Sequence, residues 1–530
     1  MRIITERLGR RSVLRLAALA ASLSLIPSAL ADSTLKVALH SDLKIIDPIW
    51  TTALISTHHG MMVYDTLFSL DEKLTVQPQM VDKWSLSEDK LTWTFTLRDG
   101  LEWHDGQPVT AEDCVASIKR WSVRDGMGQK LMSFVAELKP TDAKTLRMQM
   151  KEPYGLVLET LGKSTSNFPF MMPKRVAETD PGTQITDPVG SGPFIFKKEE
   201  WKPGEKAVYV KNPKYKPRAE PASGFAGGKV VKVDRVEWIW IADPQTQVNA
   251  LLNGEIDFIE APPHDLIPLL VGDPNVKLLV VAPMGRQYAF RFNVLHKPFD
   301  NPKVRQAVAY ALNQKDFLNA TIGDAEYYVT CKSLYPCGSP FATTKGWDDK
   351  IESNFAKAKA LLQEAGYADT PVVLMQSTDI ASLSNLAPVA KSLMEKAGLK
   401  VDLQAMDWQT LVARRAKKDP PNAGGWSAYL TSWGGVDVLD PVATNFLNAS
   451  CEKATFGWPC DSELERLRDA FAKETDPAKQ KSIAEAVSVR ASEYPTHVVL
   501  GQYLQPSAFR KNIAGVLVAS NVAFWNIEKK

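Results

Sequence analysis

The stretch that decides the fold runs from Tyr64 to Trp121 and reads YDTLFSLDEKLTVQPQMVDKWSLSEDKLTWTFTLRDGLEWHDGQPVTAEDCVASIKRW. Its clearest element is LTWTFTL at 91–97, where apolar residues occupy every odd position. Strict alternation of this kind predicts a strand with one buried face. The RDG at 98–100 and the HDG at 104–106 predict turns around the next extended piece, because glycine tolerates positive φ.

A helix start follows these turns. Thr110 stands three residues before Asp113, which is the spacing of a capping box with Asp in place of Glu. Turns and a helix cap are architectural features. We therefore expect His104 to be a structural hydrogen-bonding residue and not a catalyst.

The rest of the chain alternates strand-like and helix-like patterns, which indicates mixed α/β layers. Two of the helices end at a glycine, Gly366 and Gly398, as helix C-termini commonly do. The predicted strands cover 34–40, 91–97, 232–241, 276–281, 288–293 and 401–405. The predicted helices cover 355–365, 386–397, 463–471 and 480–494.

Composition excludes several classes of protein. The chain has 530 residues, of which 45% are hydrophobic and 23% are charged. These values are typical of globular domains and exclude a disordered chain or a coiled coil. The formal net charge is only +2, so we do not expect a nucleic-acid partner held by bulk positive charge.

The N-terminal segment has the pattern of an export signal. Arg10 and Arg11 precede an apolar run over 14–30, and Ala29-Leu30-Ala31 fits a small-x-small cleavage site. We predict a cleaved, twin-arginine-like signal peptide at 1–31, with an ordinary Sec signal as the alternative. The segment holds five Arg and one Glu, which leaves 58 basic and 60 acidic residues in the rest. The mature protein is predicted to be soluble and periplasmic.

The cysteines predict two short disulfide-closed loops. Cys331 and Cys337 are six residues apart, and Cys451 and Cys460 are nine apart. An oxidising compartment permits disulfides within these pairs. Cys114 is then free. Metal binding is the weaker alternative, since the sequence has no CxxC spacing and no histidine pair near these cysteines.

Motifs for catalysis are missing from the sequence. It contains no HExxH, no GxSxG and no GxxxxGK[ST]. The adjacent pair His58-His59 would point about 100° apart on a helix, which is poor for chelation. We therefore predict no catalytic residue, no metal site and no cofactor.

Aromatic residues point instead to ligand binding. Of 14 tryptophans, Trp408, Trp426 and Trp433 lie close together beside glycines and Asp437. Core packing is one interpretation of this cluster. A ligand cleft, in which aromatic faces combine with a few polar groups, is the other.

The motifs as an ordered set resemble the family 5 extracellular solute-binding proteins, the dipeptide and oligopeptide binders of ABC importers. The resemblance runs from about Leu35 to the C-terminus. In the 64–121 region the family pattern places a proline-led helix ending near Trp84. The other matching stretches are VGSGPFIF at 189–196, NPKY at 212–215, ALLNGEIDF at 250–258, NPKVRQAVAYALNQ at 301–314, and 429–441.

The resemblance implies an α/β, two-lobe periplasmic binding protein fold. It is of class II, type C, with an extra domain, and its ligand cleft lies between lobes joined by a hinge. Domain I would comprise 32–75, 187–287 and 500–530. Domain II, the extra domain, would be 76–186, and domain III, the second lobe, 288–499. Hinges would lie near 287 and 499.

The resemblance also implies a set of ligand-binding residues. Asp437 would pair with the ligand's ammonium group, although one extra residue after Trp433 shifts the spacing. The alternative is that Asp437 only caps or turns its loop. The other expected contacts are Trp433, Gly434, Trp408, Trp426 and Asp440. Arg286, Arg291, Arg414 and Arg415 are all possible carboxylate binders, with 414–415 interpreted as part of a solvated helix.

The predicted function is a monomeric periplasmic receptor that delivers a small solute to an ABC permease. Lobe closure around the ligand is the mechanism. Di- or oligopeptides are the preferred ligand, and an oligosaccharide, opine, metal chelate or haem is the alternative. A secreted hydrolase, or a chaperone or sensory receptor on the same fold, is a more remote alternative.

Overall fold

The computed structural model describes residues 33–164 and 166–530. The predicted signal peptide at 1–31 lies outside the described residues. Within the described ranges, no helix combines the length and the apolar character needed to cross a membrane.

The strands fall into two large sheets, one four-stranded sheet and three small pairs. In chain order they are β1 Thr34–Ala38, β2 Asp65–Thr66, β3 Phe68–Leu70, β4 Val76–Pro78, β5 Val81–Leu86, β6 Thr92–Leu97, β7 Val135–Pro140, β8 Thr145–Met150, β9 Phe170–Met171, β10 Phe194–Phe196, β11 Lys206–Lys211, β12 Arg235–Ile239, β13 Phe258–Ile259, β14 Val276–Leu279, β15 Arg286–Phe292, β16 Tyr328–Val329, β17 Val372–Ser377, β18 Val401–Met406, β19 Ala428–Gly434, β20 His497–Tyr503, β21 Ser507–Arg510, β22 Ile513–Ala514 and β23 Glu528–Lys529.

Helices connect and cover these sheets. In chain order they are α1 Leu54–Val63, α2 Ala111–Arg124, α3 Gly126–Phe134, α4 Val157–Leu161, α5 Lys174–Ala177, α6 Pro244–Asn253, α7 Ile267–Val271, α8 Pro302–Ala311, α9 Gln314–Thr321, α10 Phe355–Glu364, α11 Ala381–Ser384, α12 Leu386–Lys396, α13 Trp408–Arg414, α14 Ser462–Lys473 and α15 Pro477–Glu493.

The first lobe is built on a seven-stranded sheet of order β10-β11-β12-β1-β13-β21-β14. Its centre is parallel, because β1 runs parallel to both β12 and β13. Val37 of β1 stands opposite Trp238 on one side and Phe258 on the other, and all three side chains are buried. This arrangement brings the carboxyl ends of β1 and β13 to the same edge of the sheet.

The second lobe is built on a six-stranded sheet of order β16-β20-β15-β19-β17-β18. The chain passes between the two large sheets after β14 and again after β20. These crossings span 280–285 and 504–506. The predicted hinges near 287 and 499 fall a few residues away, inside β15 and β20. The domain boundaries themselves stay a prediction.

The four-stranded antiparallel sheet, of order β5-β6-β8-β7, contains the predicted strand at 91–97. The expected helix ending near Trp84 is wrong. Strand β5 occupies that position, and Trp84 stands opposite Phe95 of β6. The backbone N–H and C=O groups that would bond to each other within a helix bond to β6 instead.

The other predicted strands and helices are present, with ends that differ by a few residues. The capping box at the start of α2 is also confirmed. The Asp113 carboxylate accepts the backbone N–H of Thr110 at 2.8 Å, and the Thr110 hydroxyl accepts the N–H of Asp113 at 3.3 Å.

His104 is a structural residue, as expected. Its Nδ1 accepts the backbone N–H of Gly190 at 3.3 Å, and its Nε2 lies 3.1 Å from the carbonyl of Gly192. Desolvation lowers the pKa of His104 to about 4, which keeps the ring neutral. A Cβ on Gly190 would lie 1.9 Å from the carbonyl oxygen of Val63. Only glycine allows this close approach of the 189–196 segment to the end of α1.

Both predicted disulfides are present. Cys331 is bonded to Cys337, and Cys451 to Cys460. Cys114 is a free, buried thiol on α2, and burial raises its pKa well above the usual range.

Candidate functional site

A cavity of about 140 Å³ lies between the two large sheets and is lined by both lobes. The first lobe contributes residues that follow β1 and β13 and the turn before α1. The second lobe contributes the end of β19, the first residue of α13 and Arg415, which follows the last residue of that helix. The polar and aromatic lining includes His40, Thr52, Ser166, Glu260, Arg286, Trp408, Arg415, Ser432, Trp433, Asp437 and Tyr503.

The position of the cavity follows from the sheet topology. His40 comes two residues after the end of β1, and Glu260 comes directly after β13. In open α/β sheets, the crevice outside the carboxyl ends of parallel strands is the usual ligand site. The cavity occupies that position in the first lobe and is closed over by the second.

Asp437, which the resemblance assigns to the ligand's ammonium group, lies on this cavity. Its Oδ1 accepts the backbone N–H of Ser166 at 2.7 Å, and its Oδ2 accepts the N–H of Gly434 at 3.0 Å. The carboxylate therefore does shape its own loop, which was the alternative interpretation. A carboxylate has about four lone-pair sites, so these two bonds leave capacity for a ligand.

Trp433, Gly434 and Trp408 also line the cavity. Trp433 is the penultimate residue of β19, and its ring packs edge-on against Phe446 at 5.1 Å between centroids. Trp408 begins α13, where its backbone N–H donates to Asp379 at 2.7 Å. These three predicted residues are brought together by the second lobe.

Trp426 and Asp440 do not reach the cavity. Trp426 is completely buried and packs on Tyr429 and Trp458 in a separate aromatic cluster. The Asp440 carboxylate accepts the N–H groups of Val442 and Ala443 at 2.7 and 2.8 Å, and desolvation raises its pKa. Both side chains are held by contacts within the protein, and neither is part of the cavity lining.

The four candidate arginines divide into two pairs. Arg291 donates to the carbonyl oxygens of Phe446 and Phe456, and Arg414 donates to that of Gly425. Arg286 and Arg415 line the cavity. The expectation that 414–415 forms part of a solvated helix is wrong for Arg415, which is 3% exposed.

Arg415 reaches the cavity because it caps the C-terminal end of α13. One guanidinium nitrogen donates to the hydroxyl of Thr52 in the first lobe at 2.7 Å, and Nε has no hydrogen-bond partner. In the described part of the chain, no carboxylate forms an ion pair with Arg415. Nothing in the local sequence distinguishes it from Arg414.

A second cluster was not predicted. Nδ1 of His40 lies 2.6 Å from Oε2 of Glu260, and Nε2 of His58 lies 3.6 Å from Oε1 of the same carboxylate. Desolvation lowers the pKa of His58 to about 4. Burial by itself would raise the pKa of Glu260, but the neighbouring His40 and His58 rings hold it below the usual range. Glu260 is therefore ionised at neutral pH.

Two hydrogen bonds cross the cavity between the lobes. One joins Asp437 to Ser166 and the other joins Arg415 to Thr52. Ser166 belongs to the first lobe through its neighbour Asn167, whose side-chain amide donates to the carbonyls of Ile49 and Thr51. The structure is therefore in a closed arrangement.

Comparison with known proteins identifies the family. Residues 75–456 match the bacterial extracellular solute-binding proteins, family 5. The chain is 41% identical over 505 residues to the "Probable peptide ABC transporter periplasmic-binding protein y4tO" of Sinorhizobium fredii, with 94% of each chain covered. It is 27% identical over 520 residues to the glutathione-binding protein GsiB of Salmonella paratyphi A, with 96% of each chain covered.

Solved structures agree on the fold. The periplasmic binding protein AgaA of A. tumefaciens R10, in complex with agropinic acid, superimposes with a TM-score of 0.80 at 23% identity, covering 94% of this chain and 99% of that one. DppA from Helicobacter pylori, in complex with the peptide STSA, gives 0.76 at 22% identity, with 94% and 98% covered. The two-lobe α/β fold, the cleft between its lobes and the match over most of the chain show that this protein belongs to the family 5 bacterial extracellular solute-binding proteins.

Proposed function

We propose that this protein is the periplasmic receptor of an ABC importer and that it captures peptides of two or three residues. The peptide binds in the cavity between the lobes, and lobe closure encloses it. The protein then delivers the peptide to a permease in the membrane. It acts as a monomer and binds its solute without chemical turnover.

The observation that carries the proposal is the pairing of unlike, uncompensated charges on one cavity. Asp437 makes hydrogen bonds only to backbone N–H groups, and Arg415 makes one only to a hydroxyl, within the described residues. Arg415 is buried and Asp437 is half-buried, and a charge that has lost water without gaining a counter-charge is costly. A free peptide at neutral pH carries an ammonium group at one end and a carboxylate at the other, so it supplies both missing partners.

The size of the cavity supports a short ligand. The cavity of about 140 Å³ is small, compared with roughly 300–1,000 Å³ for pockets that hold a drug-sized molecule. A di- or tripeptide suits a site of this size. A longer peptide would require the lobes to stand further apart than they do here.

The relatives support the same ligand class. The relative from Sinorhizobium fredii, at 41% identity, is described as a probable peptide-binding component of an ABC transporter. GsiB, at 27% identity, is described as glutathione-binding, and glutathione is itself a tripeptide. Export to the periplasm is supported by the twin-arginine-like pattern at 1–31.

The cross-cavity bonds support a closure mechanism. Asp437–Ser166 and Arg415–Thr52 form only when the lobes approach each other. A ligand shifts the open–closed equilibrium only by its differential affinity for the two states. A peptide touching both lobes has that property, because it loses its contacts with one of them when they separate.

Isothermal titration calorimetry with a graded peptide series tests the proposal. Ala-Leu, Ala-Leu-Ala, and four- and six-residue extensions are titrated into the purified mature protein. Matched tripeptides that are N-acetylated or C-amidated serve as controls. We expect the di- and tripeptides to bind, the longer peptides to bind at least tenfold more weakly, and each blocked peptide to lose affinity. Equal affinity for free and blocked peptides, or no binding of any peptide, would overturn the proposal.

A further inference from the structure

We infer that His40, His58 and Glu260 form a binding site for one divalent transition-metal ion, with an open coordination position that faces the ligand cavity. Zn²⁺ is the ion whose chemistry fits best. This inference goes beyond the proposed function, because it concerns a metal ion held by the first lobe and not the peptide held between the lobes.

The three donor groups are already gathered. Their nearest ligand atoms, Nδ1 of His40, Nε2 of His58 and a Glu260 oxygen, all lie within 4.8 Å of one another. The two nitrogens are 2.6 and 3.6 Å from the carboxylate. Ligands of one tetrahedral zinc ion, each bound at about 2.0–2.1 Å, stand roughly 3.3 Å apart. Small side-chain movements therefore complete the geometry.

The fold fixes these groups from three separate elements. His40 follows β1 and Glu260 follows β13, which are neighbouring parallel strands with Ala38 paired to Ile259. His58 reaches the same point from the middle of α1. A constellation held by two strand ends and a helix is more rigid than one held by a loop.

His58 supplies independent evidence that a partner belongs here. Its side chain is 0% exposed, and neither of its ring nitrogens has a hydrogen-bond partner. Buried polar groups are rarely left in that state, and one explanation is an ion. The adjacent His59 differs, because its Nδ1 lies 2.9 Å from the Tyr209 hydroxyl. The two neighbours point to different partners, as expected for adjacent residues on a helix.

The donor set selects the class of ion. Two imidazoles and one carboxylate suit zinc, nickel or copper better than calcium or magnesium, which prefer oxygen ligands only. Zinc sites with three protein ligands commonly keep the fourth position for water or another molecule. His40 and Glu260 both line the cavity, so that position opens toward the space where a solute would bind.

Supporting contacts orient the ligands. Oε2 of Glu260 also accepts the backbone N–H of His40 at 3.1 Å, and the Ser507 hydroxyl donates to the backbone carbonyl of Glu260 at 2.7 Å. Contacts of this kind fix metal ligands in a productive orientation. Arg286 lines the same cavity, and its positive charge opposes a cation beside His58.

The rival interpretation is a hydrogen-bonded His–Glu–His cluster that holds no ion. The test is a Zn²⁺ titration of the untagged mature protein after chelator treatment, against a chromophoric competitor and without peptide. Metal content after dialysis is measured by elemental mass spectrometry. We expect one Zn²⁺ per chain. His58→Gln and Glu260→Gln should each weaken binding at least about tenfold.

Two variants serve as matched controls. His59→Gln changes the neighbouring buried histidine, and His296→Gln changes a histidine outside the cavity, so both should still bind one Zn²⁺. The inference is overturned if the wild-type protein binds less than one Zn²⁺, or if His58→Gln and Glu260→Gln bind as tightly as the controls.

A measurement with Co²⁺ needs only the wild-type protein, so it tests the inference even if a variant of a buried residue fails to fold. Co²⁺ added to the wild-type protein should give the intense visible absorption of a four-coordinate site with nitrogen and oxygen ligands. The weak absorption of hexaaqua Co²⁺ would contradict the inference. Peptide titrations are run separately with EDTA present, so that failure of the metal site and failure of peptide binding are distinguished.

Discussion

The Asp437 carboxylate in the second lobe accepts the backbone N–H of Ser166 in the first lobe, at 2.7 Å. Its other oxygen accepts the N–H of Gly434, at 3.0 Å. The same side chain therefore shapes its own loop, connects the two lobes and presents negative charge to the cavity. The two interpretations that the sequence left open for Asp437 do not exclude each other.

Removing the charge of Asp437 should weaken the binding of peptides that have a free amino terminus. Asp437→Asn keeps one acceptor oxygen, so it retains the bond to Ser166 or the bond to Gly434 but not both, and it no longer opposes an ammonium group. We expect a loss of about 2–5 kcal/mol of binding free energy, as for other buried charge pairs that lose one partner. Isothermal titration calorimetry with a free and an N-acetylated tripeptide measures the effect.

The free and acetylated peptides together separate charge from shape. Asp437→Asn should weaken the free peptide much more than the acetylated one, because only the free peptide has an ammonium group, whereas the lost backbone bond affects both. Asp440→Asn is the matched control, because the Asp440 carboxylate accepts the backbone N–H groups of Val442 and Ala443 and lies outside the cavity. An equal loss for both peptides would mean that Asp437 acts only through the loop and the lobe contact.

Arg415 should bind the carboxylate of the ligand. Arg415→Gln removes the cation but keeps a side chain that can donate to Thr52. We expect affinity for a tripeptide to fall by about 2–5 kcal/mol, and affinity for its C-amide to change little. Arg414→Gln is the control, because Arg414 donates to the backbone of Gly425. Similar affinities for wild type and Arg415→Gln would reject this role.

His104 should affect stability and not binding. Its ring bonds the backbone at Gly190 and Gly192, away from the cavity. His104→Ala leaves the backbone N–H of Gly190 without a partner, whereas the Gly192 carbonyl keeps the side-chain amide of Asn212. The loss should cost about 1–3 kcal/mol of the free energy of unfolding. Urea denaturation measures the cost, and calorimetry should give an unchanged peptide affinity. A tenfold loss of affinity with unchanged stability would show that His104 belongs to the site.

Acid should destabilise the metal-free protein. Burial lowers the pKa of His58 to about 4 and the pKa values of His59 and His497 to about 3. All three titrate near 6.5 in the unfolded chain. Between pH 6.5 and 4 the unfolded state therefore binds more protons, and stability falls as pH falls. Each residue removes up to about 1.4 kcal/mol per pH unit.

This prediction is checked by urea denaturation of the EDTA-treated protein at pH 7, 6 and 5. We expect the free energy of unfolding to fall by several kcal/mol between pH 7 and 5. A free energy that is constant over this range would mean that the three rings take up protons in the folded state as readily as in the unfolded chain.

Features that depend on a local sequence pattern were predicted correctly. The alternation at 91–97 gave β6, and the glycines at 366 and 398 marked the ends of α10 and α12. The prediction of a helix ending near Trp84 was wrong. Trp84 lies in a strand that pairs with the strand of Phe95, and a pairing between two strands cannot be read from the local pattern of one of them.

The site was predicted where the residues lie on one continuous segment. Trp433, Gly434 and Asp437 come from a single strand end and its following turn. Arg415 was a candidate but could not be told from Arg414, because only the folded chain brings its guanidinium group to Thr52 of the first lobe. His40 and Glu260 were missed because they are 220 residues apart in the chain and meet only through the pairing of β1 with β13.

Mass spectrometry of the solute that the protein carries tests most directly whether the protein is a receptor for short peptides. The protein is expressed with residues 1–31, purified from the periplasm without denaturant and then unfolded to release what it holds. We expect a mixture of di- and tripeptides with free termini. A single non-peptide solute, such as an opine or a sugar, would contradict that expectation.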